Sequence, residues 1–326
     1  MSIRCPDVGM VVPTWYPVDA DESLVERLLA LTLEGVESVY RPDLVVVVLD
    51  GQPRWEEAVR RAASSRGLRF LALPVNVGKG GAVAAGIGSL ADDAPALVAT
   101  RDSDGDHRLE DLPAMVELAR QMGEETGNEL LLVSGGRPDR ARPLGFERAE
   151  YELITDRVLW QALQYHAAQQ GRHLTSAYFA AHGEVPDIQS GYKVYSAAAA
   201  RVVATALDPE HDGAGIGRWG VETAPAVEIL AAGGVLGVAA RRTYQEQPVS
   251  GFRGVDAQRL YAQPLAWALR RLEVPAAVAA AMLDGALLRS PLVFDFRRRD
   301  EVLAVREAVL EALGGGRPML WGGRFV

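Results

Sequence analysis

The sequence predicts an α/β fold with a mostly parallel central sheet flanked by helices, and three observations carry that expectation. Short β-branched runs alternate with helical patterns across residues 8–133. One run, LVVVVL at residues 44–49, is apolar throughout, as expected of a central strand covered on both faces. Gly- and Asp-rich segments sit where the runs end, and ligands of open α/β sheets bind beyond the carboxyl ends of the strands.

Taken in order, residues 8–13 read as the first strand. Residues 22–34 form a helix whose Leu24, Val25, Leu28, Leu29 and Leu31 make a broad apolar face. Strands are predicted at 44–49, 69–73, 96–100 and 129–133, with helices at 55–65, 80–90 and 109–121 between them and right-handed crossovers throughout. After residue 135 the alternation stops. Residues 134–145 (SGGRPDRARPLG) read as a loop of a length that is usually functional or mobile. A long helix over 147–170, a loop leading into a strand over 185–196, a helix over 196–207 and a strand over 235–241 follow. Three helices near 256–272, 276–288 and 300–313 end the regular pattern, with a tail to Val326 disordered or docked through Trp321.

Composition narrows the function. A net charge of −9 opposes nucleic-acid binding, whose footprint is a basic face. The single cysteine, Cys5, can form no internal disulfide, which suits a reducing, cytoplasmic setting. No secretory leader is visible at the N-terminus. The apolar stretches at 224–240 and 274–288 are interrupted by Pro225, Glu228, Pro275 and Asp284 and fall short of the roughly 20 residues a spanning helix needs. A membrane-borne acceptor would be met by peripheral contact alone, and the sequence is compatible with a homo-oligomer. Of 34 basic residues only Lys79 and Lys193 are lysines, which marks both positions.

Four segments carry chemistry. In RDSDGDHRLEDLP, Asp102, Asp104 and Asp106 place three carboxylates in one loop, a costly arrangement unless a cation neutralises them, and oxygen ligands of that density suit Mg²⁺ or Mn²⁺. The order of residues departs from a calcium-binding EF-hand loop, because Gly105 precedes the third Asp. Glycines open a helix in NVGKGG, letting backbone N–H groups approach phosphate oxygens beside Lys79, although the spacing is neither a Walker loop nor a dinucleotide fingerprint. Asp50 ends a strand, where it can accept a nucleobase N–H or close a turn with Gly51. The fourth segment, DIQSGYK, is followed by RWGVE; Asp187 or Glu222 is placed there as a general base or as a structural carboxylate.

Together VVPTWYP, VLDGQ, NVGKGGA, RDSDGDHRLEDLP, DIQSGYKVYS and RWGVE resemble, in order and over roughly residues 8–250, the motifs of family 2 GT-A glycosyltransferases. The dolichyl- and polyprenyl-phosphate mannosyl- and glucosyltransferases are the most similar group. The resemblance implies a GT-A catalytic domain over 1–250, with a nucleotide-binding half to about 135 and an acceptor half over 136–250, and a helical extension over 251–326. It implies transfer of a hexose from a UDP- or GDP-sugar to an acceptor, with Pro13, Thr14 and Asp50 at the nucleobase and Lys79 at the donor phosphates. Asp102, Asp104 and Asp106 would hold the metal, Asp102 also meeting the pyrophosphate. Asp187, Gln189 and Lys193 would shape the sugar and acceptor side, with Glu222 near the acceptor. Leu49 stands where the group has the first Asp of its DDGS element.

The GKG turn and GVE triplet are also similar to retaining glucosyl-3-phosphoglycerate synthases. Their late histidine ligand is matched here only by Arg241-Arg242-Thr243-Tyr244, so both inversion and retention stay open. The loop arginines Arg137, Arg140 and Arg142 suggest an anionic acceptor. Two further classes compete: a sugar nucleotidyltransferase, which would open with a Gly-rich loop that VPTWYPVDADE lacks, and a non-catalytic nucleotide-sugar binder.

Overall fold

A computed structural model describes residues 5–39, 41–210, 215–242 and 257–315. The elements in chain order are β1 (Val8–Thr14), α1 (Glu22–Leu33), α2 (Val36–Val39), β2 (Val45–Leu49), α3 (Glu56–Ser64), β3 (Arg69–Ala72), α4 (Lys79–Ser89), β4 (Leu97–Thr100), α5 (Leu112–Thr126) and β5 (Leu131–Gly136). The remainder comprises α6 (Ala141–Leu144), α7 (Phe146–Gln169), β6 (Lys193–Ser196), α8 (Ala197–Ala206), α9 (Ile216–Trp219), α10 (Thr223–Ala231), β7 (Val235–Ala240), α11 (Gln263–Arg271), α12 (Ala276–Leu287) and α13 (Arg299–Ala312).

The strands form one sheet in the order β3-β2-β1-β4-β6-β5-β7. All neighbours are parallel except β6, which runs antiparallel to both β4 and β5. Alternation along each strand feeds two cores. Val11, Val46, Val48 and Val98 face α4, α7, α8 and α10, whereas Met10, Val12, Val47 and Ala99 face α1, α3 and α5. The mostly parallel α/β architecture expected from the alternation is therefore the one observed. Cys5 is buried in the second core.

Three differences from the expected elements have local causes. Helix α10 occupies part of an apolar stretch that Pro225 breaks in sequence; Pro225 sits in the helix's first turn, where its missing N–H has no intrahelical partner to lose. Residues 134–145 are not one loop, because β5 runs on to Gly136 and α6 forms before Gly145 takes a left-handed φ of +79°. The helix expected near 109–121 starts as a 3-10 turn at Leu109–Asp111 and continues to Thr126, where Gly127 (φ +64°) stops it. Helices α11, α12 and α13 extend the first core through Leu265, Leu269, Leu283 and Val309. The expected boundary at 250/251 and the Trp321 tail lie outside the described residues.

Order reverses at β1, whose neighbours β2 and β4 lead away in opposite directions, and this switch point is where α/β sheets form a ligand crevice. No helix among the described residues is long and apolar enough to cross a membrane.

Helix α4 lies close on the sheet because Gly86 leaves no side chain there; a Cβ would collide with Val11 and lie 3.1 Å from Val48 Cγ2. Gly86→Val is expected to cost at least about 2 kcal/mol by overpacking. A urea midpoint equal to the parent's would contradict that packing.

Candidate functional site

The crevice is organised around Lys79. Its helix starts after Gly78, which takes φ +88°. The turn before it is fixed by Asp50, whose Oδ1 accepts from Val77 N at 2.8 Å and Oδ2 from Gly78 N at 3.0 Å. Burial pushes the Asp50 carboxyl upward against those bonds. The segment around α9 closes on the same turn. Arg218 Nη2 donates to Asn76 O at 3.1 Å, and a Cβ on Gly80 would meet Gly217 Cα at 2.7 Å. Lys79 Nζ thereby reaches Glu222 Oε1 at 2.8 Å and Asp102 Oδ2 at 2.9 Å. Burial opposes its charge, but the two carboxylates outweigh burial and hold the ammonium above the ordinary lysine range.

The acidic loop after β4 is held by its neighbours. Gly105 takes φ +80°, and Asp104 Oδ1 accepts from Asp106 N at 3.0 Å, an Asx turn. Buried Arg101 donates from Nε to His107 O at 2.6 Å, and Asp102 N donates to His107 Nδ1 at 2.9 Å. Burial, then Arg241 and Lys79, keep His107 neutral, and its ring stacks on Tyr192 at 4.8 Å. Across the crevice from β1, Tyr16 Oη donates to Ser103 O at 2.9 Å. The sequence alone assigns neither Tyr16 nor His107 a place among the site residues. The signals were a Tyr after the β1 end and a His closing the acidic motif.

Asp106, expected in the metal shell, faces elsewhere. Arg241 at the end of β7 donates to its Oδ2 from Nη1 and Nη2, each at 3.1 Å, and both side chains are buried. A carboxylate sharing a guanidinium in the interior is neutralised there, which leaves Asp102 and Asp104 as the two loop carboxylates that could meet a cation. Asp104 is pushed up to about 6, by burial first and by Asp102 second, which marks negative charge lacking compensation. Mg²⁺ characteristically takes one or two carboxylates and fills its other positions with phosphate oxygens and water. Among the described residues no group of three or more protein ligands converges. The residues therefore fit an Mg²⁺ or Mn²⁺ held by Asp102 and Asp104 with a substrate completing the shell.

The loop over residues 187–193 passes directly above Lys79. A Cβ on Gly191 would lie 2.8 Å from Asp102 Oδ2 and 2.9 Å from Lys79 Nζ, so the glycine lets the loop pass without displacing either side-chain tip. Lys193 turns inward and braces this loop through Ile188 O at 2.9 Å and Ser190 O. Burial brings its ammonium down to about 8. Gln189 Nε2 donates to Thr223 Oγ1 at 3.1 Å. Pro13 and Thr14 are buried in β1, the Thr14 hydroxyl donating to Val12 O at 3.2 Å.

Asp187, one of two carboxylates expected as a general base, is instead neutralised. Arg137 donates to it from N at 2.9 Å, Nε at 2.8 Å and Nη2 at 2.7 Å, and Arg140 lies 3.5 Å away. Despite burial, those guanidiniums hold its carboxyl well below the usual range, where it is a poor proton acceptor. The same network ties Arg137 to Glu152 at 2.7 Å and Arg140 to Asp156 at 2.6 Å.

No family model matches the chain, and no curated protein matches it. Solved structures are similar at a distance, three of them as follows. One is a mycobacterial protein, 18% identical over 82% of this chain and 75% of that one, with a TM-score of 0.44. Residues 1–349 of S. aureus TarS are 12% identical over 94% of this chain and 80% of that one, with a TM-score of 0.47. A longer S. aureus TarS structure is 15% identical over 94% of this chain and 49% of that one, with a TM-score of 0.48. At these identities and scores the likenesses assign no chemistry, and the site stands on its own geometry.

Two outcomes test this geometry. Because the folded Asp104 binds its proton more tightly than the unfolded one, the stability this carboxyl contributes is lost as pH rises from about 4 to about 6, on the order of 1–2 kcal/mol. Asp104→Asn removes that component, so urea midpoints of parent and variant should converge near pH 4 and separate above pH 6; parallel profiles would refute it. Breaking the buried Arg137 cluster with Asp187→Asn should cost about 3–5 kcal/mol of stability. A fully stable variant would return Asp187 to the list of bases.

Proposed function

We propose that the chain is a metal-dependent glycosyltransferase of the GT-A kind, moving a hexose from a UDP- or GDP-sugar to an acceptor hydroxyl or phosphate. The observation that carries this reading is the meeting of Lys79, Asp102 and Glu222 at the sheet's switch point, beside the Gly-rich start of α4. A helix start and an ammonium suit a diphosphate, and paired carboxylates suit its cation. The order of the sequence motifs supports the same reading.

Asp102 and Asp104 would hold Mg²⁺ or Mn²⁺, which when bound supplies Lewis-acid stabilisation of the leaving diphosphate. Lys79 adds a second positive charge at the same phosphates, already oriented by its two carboxylates. Asp50 fixes the turn that carries Lys79, and it keeps lone pairs for a nucleobase N–H. Glu222 is the carboxylate suited to take a proton from an acceptor hydroxyl, since Arg137 withdraws Asp187 from that role. A phosphate acceptor would need no base. A polyprenyl phosphate and a small soluble acceptor are both compatible with this machinery.

Calorimetry with UDP- and GDP-sugars, with and without Mn²⁺, tests the reading. Donor binding should require Mn²⁺, and Asp104→Ala should weaken it at least about tenfold, the loss of one charge-assisted contact. Full donor binding and transfer by Asp104→Ala would overturn the metal assignment. With a hydroxyl acceptor, Glu222→Gln should lower kcat about 10²- to 10⁴-fold. Pyrophosphate release from UTP or GTP with a sugar phosphate would point to a nucleotidyltransferase instead.

A further inference from the structure

The contacts of Lys79 leave it no donor for a phosphate. An ammonium has three N–H groups. Here they face three carboxylate oxygens: Asp102 Oδ1 at 2.8 Å, Asp102 Oδ2 at 2.9 Å and Glu222 Oε1 at 2.8 Å. Asp102 is equally committed, since one cation lies against both of its oxygens. None of the three is sealed in, the side chains of Lys79, Asp102 and Glu222 being 28%, 24% and 16% exposed.

The same atoms therefore have two uses that exclude each other. Asp102 would meet a divalent cation through the oxygens that the ammonium covers, and Lys79 would meet a diphosphate with the N–H groups that the carboxylates take up. Two cations in contact with one carboxylate repel each other. Exchange with a cation alone leaves the ammonium without its partner, and exchange with a metal-free diphosphate leaves the carboxylates without theirs. When both arrive, Asp102 passes to the cation and Lys79 to the phosphates, and no charge is left bare. The lysine is suited to that trade, because its flexible stem rises from the first residue of α4, beside the helix start that suits phosphate oxygens.

We propose that Lys79 holds the cation's place on Asp102 in the free chain and yields it only to a divalent cation and a nucleoside diphosphate together, so that metal and donor bind as a unit. That a metal binds at all rests on the metal-dependent reading; that Lys79 covers Asp102 does not.

The test is Mn²⁺ titration of the full chain and of Lys79→Met, read from the paramagnetic resonance signal of the free ion, with and without UDP or GDP. Lys79→Met should bind Mn²⁺ alone at least about tenfold more tightly than the parent, because a competing unit charge at contact range is gone. The nucleotide should raise the parent's Mn²⁺ affinity at least about tenfold and the variant's much less. Equal affinities of parent and variant for Mn²⁺ alone overturn the proposal and leave Lys79 as a phosphate ligand only. Absence of Mn²⁺ binding by the parent even with nucleotide would overturn the metal reading, and the exchange with it. Circular dichroism checks that the variant is folded. If it is not, nitrogen-15 labelling of lysine provides a readout on the unaltered chain, in which only Lys79 and Lys193 are lysines. The Lys79 ammonium signal should stay in place with Mg²⁺ alone and move when the nucleoside diphosphate joins it; movement with Mg²⁺ alone, or none with both, overturns the proposal.

Discussion

The ammonium of Lys79 joins three parts of the chain that are otherwise separate: the Gly-rich start of α4, the acidic loop after β4 and the RWGVE segment, Glu222 lying 143 residues from the lysine. Partly desolvating a cation is costly unless carboxylates meet it directly, and here two do, at 2.8 Å each. Glycine makes that meeting geometrically feasible. Gly80 admits Gly217, and Gly191 admits the loop that roofs the lysine. A side chain at Gly80 would strike the Gly217 backbone and force the two elements apart, whereas one at Gly191 would displace the tips of Lys79 and Asp102.

Charge is handled in three ways around the crevice. At Lys79 one cation serves two carboxylates that a bound metal would also attract. At Arg241–Asp106 and Arg137–Asp187 the opposite charges are buried and mutually satisfied, which fixes geometry and removes both carboxylates from chemistry. Asp104 belongs to the third kind, a carboxyl beside another negative charge with too little compensation. Residues of this third kind are where a ligand gains most by binding, because it relieves a cost the fold already bears.

Much of the architecture was legible locally. The alternation of apolar runs predicts the sheet, because strand and helix periods are properties of neighbouring residues. Strand ends are likewise read locally, and the residues they offer, Asp50, Lys79 and Asp102, lie close together in the structure. What was not legible is how α10 accommodates Pro225, since a proline is tolerated or not according to its position in the turn, and Glu222 before the helix makes no capping bond that would mark the start.

The lysine bias marks two positions, of which Lys79 is partly exposed and Lys193 buried. Composition gave no clue that one lysine grips carboxylates while the other braces carbonyls. The sequence by itself determined an α/β chain with acidic, Gly-rich and Arg-rich segments at the strand ends. Only the tertiary structure decided which carboxylates remain available: Asp106 goes to Arg241 and Asp187 to Arg137, while Asp104 is left short of positive charge. The physical reason is range. Hydrophobic periodicity is written over a few residues, whereas a carboxylate's charge state is set by whichever guanidinium the fold brings within about 3 Å, however far away it stands in the sequence.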